Sequence, residues 1–182
     1  NLLIFFGLFA IFISILTYLI FFIEKFNYIK IRFVSFFNSS SNNNSQSEKA
    51  SEAIIDGGFF GKGIGEGTLN SKIPEAHTDY IVSVISEEFG IVIILLIMLS
   101  LIFFAYNIFK KIRETNDNLF KMILTGLISL LMIQAFVHVG VNLRLLPTTG
   151  MTLPYLSYGG SSIISISIIS GIILNLTKRR VH

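Results

Sequence analysis

Two carboxylates and an imidazole fall within six residues in Pro74-Glu75-Ala76-His77-Thr78-Asp79, and this cluster runs straight into the apolar segment Tyr80–Phe109. A carboxylate at the mouth of a membrane helix costs stability unless a partner or a task offsets that cost. Asp79, nearest the apolar run, is therefore the first candidate for chemistry. A structural reading stands beside it: Thr78 or Asp79 could cap the helix that follows, with the acid favoured by the helix dipole.

The elements that must position this cluster are membrane helices. The chain has 182 residues, of which 52% are hydrophobic, 13% aromatic and 14% charged, and its mean hydropathy is +0.72. Runs of about 18 or more apolar residues read as spans, and four are present: 2–23, 80–109, 120–142 and 158–177. The first measures roughly 33 Å as a helix, enough to cross a hydrocarbon core. The period-two alternation of a transmembrane strand is missing. The expected fold class is thus an all-α polytopic membrane bundle of four spans, a single membrane domain over 1–182 with a large extracytoplasmic loop at 24–79. The chain opens on Asn1 rather than Met, which reads as a fragment or a processed product. With no cysteine, thiol chemistry and disulfides are excluded. The net charge of +3 is scattered, without the basic stripe that nucleic acid requires.

Short loops set the orientation. Lys110, Lys111, Arg113 and Lys121 lie between the second and third spans, and Lys178, Arg179 and Arg180 follow the fourth. The positive-inside bias places these in the cytoplasm, and puts 24–79 and the connector 143–157 outside. Tyr80, Tyr106, Tyr155 and Tyr158 fall near span ends as interfacial anchors. In the outer loop, 26–37 reads as an amphipathic surface element, the Asn/Ser tract 38–47 as disordered, and 48–56 as a short helix. The glycine-rich run 57–67 is no Walker A motif, because Lys62 is followed by Gly63. It reads as a tight re-entry loop, or as amides and Lys62 approaching a phosphate.

Helical spacing gathers polar residues into stripes. Ser83, Ser86, Glu87 and Gly90 share one side of the second span with Asp79. Gln134, His138 and Asn142 repeat at i, i+4 and i+8 on the third. The fourth carries the small-residue pairs Ser161/Ser165 and Ser167/Gly171, suited to close helix packing. Ser83, Glu87, Gln134, His138 and Asn142 are therefore expected to line a polar cleft open to the outer side. No second ligand accompanies His138 at metal spacing, so an interhelical hydrogen bond is the simpler reading.

Several blocks occur in a fixed order: GGFFGKGIGEG (57–67), PEAHTDY (74–80), SEEFG (86–90) and GVNLRLLPTTGMTLPYLSYGGSS (140–162). Together they resemble the FtsW/RodA (SEDS) family of bacterial polytopic glycosyltransferases, with the division-type branch the nearer. The resemblance spans nearly the whole chain. It implies the last four of roughly ten helices and the polymerisation of lipid II into glycan strands at the division septum of the bacterial cytoplasmic membrane. It further implies Asp79 as the catalytic acid, a general base in an inverting transfer, with Glu75 and His77 shaping the site. Lys62, Lys72 and Arg144 are the cations available to a leaving pyrophosphate. Ser157, Gly159 and Gly160 complete the expected substrate-binding set. Thr149 stands where some members carry Lys, so a lysine role there does not carry over. No metal site is evident, and a divalent cation, Mg or Mn, is the cofactor class left open. The implied partners are lipid II, a class B penicillin-binding transpeptidase of the FtsI type, other division proteins and membrane lipid, with no nucleic acid. The competing class is a lipid II flippase or polar-solute transporter, with Asp79, Glu87, Gln134 and His138 as its path.

Overall fold

A computed structural model describes residues 2–22, 42–73 and 75–178, together with 27, 29, 31, 34 and 36. The chain divides into two compact units, 1–45 and 46–182. In the first unit, α1 (Leu2–Phe22) is apolar throughout, and Tyr18 stacks on Phe22 one turn on, with ring centroids 4.8 Å apart. Most of the surface element expected at 26–37, including Lys30 and Arg32, lies outside the described residues, as do Pro74, Arg179 and Arg180.

The described residues are helical, with no strand among them. After α1 come α2 (Asn42–Gly57), the single turn α3 (Leu69–Lys72), α4 (Ile81–Phe89), α5 (Ile91–Glu114), α6 (Asn118–Asn142) and α7 (Gly160–Thr177). Of these, α5, α6 and α7 are long and apolar enough to cross a membrane, and 6–19 of α1 is a shorter apolar stretch. The disorder expected over 38–47 is corrected from Asn42 onward. That tract lacks glycine and proline, so nothing in it breaks a helix that continues into Ser47–Asp56, where Ala50 and Ala53 find burial.

The elements pack antiparallel. Short connectors join α5 to α6 and α6 to α7, so the start of α5, the end of α6 and the start of α7 share one end of the bundle. At the other end, Asp117 caps α6, accepting from the Leu119 (2.9 Å) and Phe120 (3.4 Å) amides. Lys111 and Arg113 complement the C-terminal dipole of α5. One core joins α5, α6 and α7 through Ala105, Ile108, Leu124, Ile128, Ile166 and Ile173. A second packs α2 and α3 against α4 through Ala50, Leu69, Ile73, Tyr80 and Val84. Tyr80 is 1% exposed in that core, so it is no interfacial anchor. Its ring is needed to fill space between α2 and α4. Tyr155 and Tyr158 are exposed at the connector end, and Tyr106 is exposed along α5.

The apolar run 80–109 is not one helix. Gly90, at φ +83° and ψ +170°, separates α4 from α5. A helix break leaves orphan backbone groups on both sides, and the glycine-rich loop supplies their partners. Lys62 N donates to Glu87 O (2.8 Å), Gly63 N donates to Glu88 O (3.1 Å), and Ile91 N donates to Gly58 O (3.0 Å). Three glycines make this approach possible. A Cβ on Gly57 would stand 2.1 Å from Ser86 O, one on Gly61 2.2 Å from Glu88 O, and one on Gly90 2.1 Å from Phe59 O.

Gly90→Ala is therefore expected to cost at least about 3 kcal/mol, combining a left-handed backbone with a direct clash. Gly126→Ala is the control. Its Cβ would meet nothing within 4 Å, and the exchange should be neutral or stabilising by about 0.5–1 kcal/mol. Unfolding midpoints of the two variants in detergent separate them, and equal midpoints would remove the backbone-contact account of the break.

Candidate functional site

The polar cluster before α4 folds as a turn. Thr78 N (3.2 Å) and Asp79 N (3.1 Å) both donate to Glu75 O, and Thr78 Oγ1 donates to the same carbonyl. Thr78 is thus turned back on its own loop, and the residue at the N-cap of α4 is Tyr80, whose side chain makes no capping bond. The three carbonyls that follow Ala76 are held by the connector after α6 and by the last residue of α6 itself. Tyr158 N donates to His77 O (3.1 Å), Ser157 Oγ donates to Thr78 O (2.9 Å), and Asn142 Nδ2 donates to Asp79 O (3.0 Å).

Asn142 ends α6 fully buried, and its amide is saturated. Besides Asp79 O, Nδ2 donates to His138 O (2.9 Å), while Oδ1 accepts from Ser83 N (3.1 Å) and Ser83 Oγ (2.8 Å). Asn142 thus ties Ser83 of α4 to the His138 carbonyl one turn back on α6, with all three residues buried. His138 Nδ1 lies 2.7 Å from Met151 O. A carbonyl only accepts, so Nδ1 carries the proton and Nε2 is a buried acceptor without a partner in the structure. Gln134 joins one turn below, donating to Thr152 O (2.8 Å).

The connector 143–159 closes the site. Ser157 Oγ also accepts from Leu153 N (2.8 Å), fixing the connector beneath the turn. Gly150, at φ +70°, leaves Asp79 Oδ2 3.9 Å from where its Cβ would stand, so the carboxylate rests against this glycine. Asp79 itself is half-buried. Gly150 also lines a cavity of about 400 Å³ with Gln134, Thr152, Ser161, Ser162 and Ser165, and Thr152 and Ser162 share a short hydroxyl contact there. Gly159 and Gly160 start α7 beside this cavity's serines. Sequence spacing missed Gly150, Thr152 and Ser162. The signal for them was the Thr-Gly and Gly-Gly-Ser-Ser wording of the connector, which periodicity does not read.

Glu87 takes another role. It is buried on the same side of α4 as Ser83, yet faces the glycine loop and α3. Its Oε1 accepts from Thr68 N (3.0 Å) and Thr68 Oγ1 (3.2 Å), and its Oε2 accepts from Leu69 N (3.0 Å). Lys62 Nζ lies 3.1 Å from both Glu87 and Asp56. Burial alone would raise the Glu87 carboxyl, but the Thr68 and Leu69 amides and Lys62 outweigh it and hold it below the ordinary glutamate value. Of the three expected cations, Lys62 is thus paired, and Arg144 pairs with Glu48 (3.5 Å) from a left-handed turn at φ +57°. Lys72 is exposed at the end of α3, and Glu75 and His77 are exposed on the turn.

The family model of FtsW/RodA/SpoVE, described as cell cycle protein, matches residues 1–182. Curated proteins named "Probable peptidoglycan glycosyltransferase FtsW" are similar. The one from Caulobacter vibrioides is 36% identical over 155 residues, 85% of this chain and 40% of that protein. The one from Geobacter metallireducens is 35% identical over 168 residues, 90% and 45%. The Bacillus subtilis protein is 39% identical over 126 residues, 69% and 31%. A solved structure described as "Structural coordination of polymerization and crosslinking by a peptidoglycan synthase complex" superposes with a TM-score of 0.71 at 25% identity, over 96% of this chain and 47% of that one. The chain thus spans less than half the length of these relatives.

Two outcomes follow from this geometry. Asn142→Ala strips partners from Asp79 O, Ser83 N and Ser83 Oγ. At about 1–3 kcal/mol per buried orphan, the unfolding free energy should fall by about 3 kcal/mol or more while helical content at low denaturant is kept; an unchanged value would mean that water replaces the amide. A carboxyl whose folded value lies below its unfolded one stabilises above the unfolded value and loses that contribution as pH falls through the folded one. Hydrogen-exchange protection of 61–69 should therefore decline as pH drops below the ordinary glutamate range. In Glu87→Gln, that protection should be low already at neutral pH, without the acid step.

Proposed function

The chain belongs to the FtsW/RodA/SpoVE family of cell cycle proteins, and we propose that it serves as part of a peptidoglycan glycosyltransferase that polymerises lipid II. The observation that carries this reading is the placement of Asp79. The turn that carries it is gripped by the end of α6 and by the connector that follows, and its carboxylate rests on the Gly150 turn beside a cavity of mixed polar and apolar lining.

Glycan transfer needs a base at the moment an acceptor hydroxyl attacks. Asp79 takes that proton, the sugar oxygen bonds to the anomeric carbon from the face opposite the lipid pyrophosphate, and the carbon–oxygen bond to the pyrophosphate breaks with inversion. A positioned general base contributes about 10²–10⁴ in rate. The exposed side chains of Glu75 and His77 on the same turn are suited to orient sugar hydroxyls. Lys72 is the cation best placed to meet the departing pyrophosphate, because Lys62 and Arg144 already have acidic partners. Ser157, Gly159 and Gly160 hold the connector and the start of α7 in place around the acceptor. A divalent cation, Mg or Mn, is the cofactor class this reading leaves open, since such ions are commonly held by one or two carboxylates together with substrate phosphates.

The reading extends to the setting. It places the enzyme in the bacterial cytoplasmic membrane at the division septum, with the Asp79 end outside and the C-terminus inside. A class B transpeptidase of the FtsI type is its partner, consistent with the similarity to a peptidoglycan synthase complex. The flippase or transporter alternative needs a path through Asp79, Glu87, Gln134 and His138, and two of these, Glu87 and Gln134, are engaged in hydrogen bonds to the glycine loop, α3 and the connector.

Asp79→Asn in the full-length protein supplied with lipid II should lower polymer formation by about 10²–10⁴ with the unfolding midpoint unchanged. Polymer at the normal rate would refute the assignment, and lipid movement without polymer would favour the flippase.

A further inference from the structure

The glycine loop displays apolar side chains that the core does not use. Phe59, Phe60 and Ile64 are 73%, 88% and 80% exposed. Two adjacent phenylalanines left this open on a loop are unlike the single exposed apolar residues that normal surfaces carry. The loop is also fixed in level. Gly58 O accepts from Ile91 N, the first amide of the membrane-crossing helix α5, and Phe59 O lies against Gly90. The two rings therefore sit beside the entrance of α5 into the bilayer. Backbone near hydrocarbon must be internally paired. Four amides of the loop, on Gly58, Gly61, Lys62 and Gly63, are paired in this way, bonding Ile55 O, Gly57 O, Glu87 O and Glu88 O. Lys62 is paired with Asp56 and Glu87, so its ammonium is directed to the carboxylates behind the loop.

We propose that Phe59, Phe60 and Ile64 form an interfacial wedge that dips into the outer acyl–headgroup layer of the bilayer. The occupant of this surface is phospholipid. Aromatic and aliphatic side chains are favoured at that depth, and the backbone staple to Gly90 transmits the anchoring to the α4–α5 break.

The chain contains no tryptophan, so single-tryptophan variants report one position each. Phe60→Trp and Phe103→Trp are compared in nanodiscs of phosphatidylethanolamine and phosphatidylglycerol. Position 103 lies about 18 Å along α5 from Ile91 at the usual rise and serves as the deep reference. Phe60→Trp should be quenched several-fold more strongly by phospholipid brominated high on its acyl chains than by lipid brominated near the chain ends, and should resist aqueous iodide. Phe103→Trp should show the reverse depth preference. Iodide quenching of Phe60→Trp equal to that of free indole would overturn the proposal in favour of a water-facing loop. Shielding from iodide and bromine alike would overturn it in favour of a protein covering. A Phe103→Trp probe open to iodide would remove α5 from the membrane, and the wedge with it.

Discussion

Three consecutive carbonyl groups, on His77, Thr78 and Asp79, decide where the candidate base stands. Each accepts a hydrogen bond from a different donor: the backbone of Tyr158 and the hydroxyl of Ser157 on the connector, and the side-chain amide of Asn142 at the end of α6. Leaving one such acceptor buried and unmade costs about 1–3 kcal/mol, so the end of α6, the connector and the turn before α4 are drawn to one point. The position of the Asp79 carboxylate follows from these grips. Gly150 then sets how close the connector can come to it.

The two acids on the inner side of this region are treated differently. Glu87 is saturated by two amides, a hydroxyl and a lysine, and it organises the glycine loop around the helix break. Asp79 is half-buried beside a cavity. Depth of burial separates the two: Glu87 is closed off from any incoming molecule, whereas the half-buried Asp79 is not.

Composition and run length made the apolar helices α5, α6 and α7 legible in the sequence, because the demand for backbone pairing in lipid leaves few alternatives. The 3.6-residue period put Ser83 and Asn142 on stripes of two helices, which the structure joins by hydrogen bonds in a buried position. It could not show that Glu87, at the right angular position, points to the glycine loop, since that depends on residues 18 to 25 positions away. Hydropathy missed the break at Gly90 for a similar reason. The flanking residues are apolar on both sides, and the cause is a close approach by Phe59 from a distant loop. Tyr80 read as an interfacial ring because its role as filler between α2 and α4 is purely tertiary. The helix beginning at Asn42 was hidden by a polar composition that usually signals disorder.

All three grips on the turn fasten to main-chain oxygen, which every amino acid possesses. Exchanging the imidazole at 77 or the carboxylate at 79 leaves the fastening intact. A copy altered only at those two side chains would keep all three fastenings.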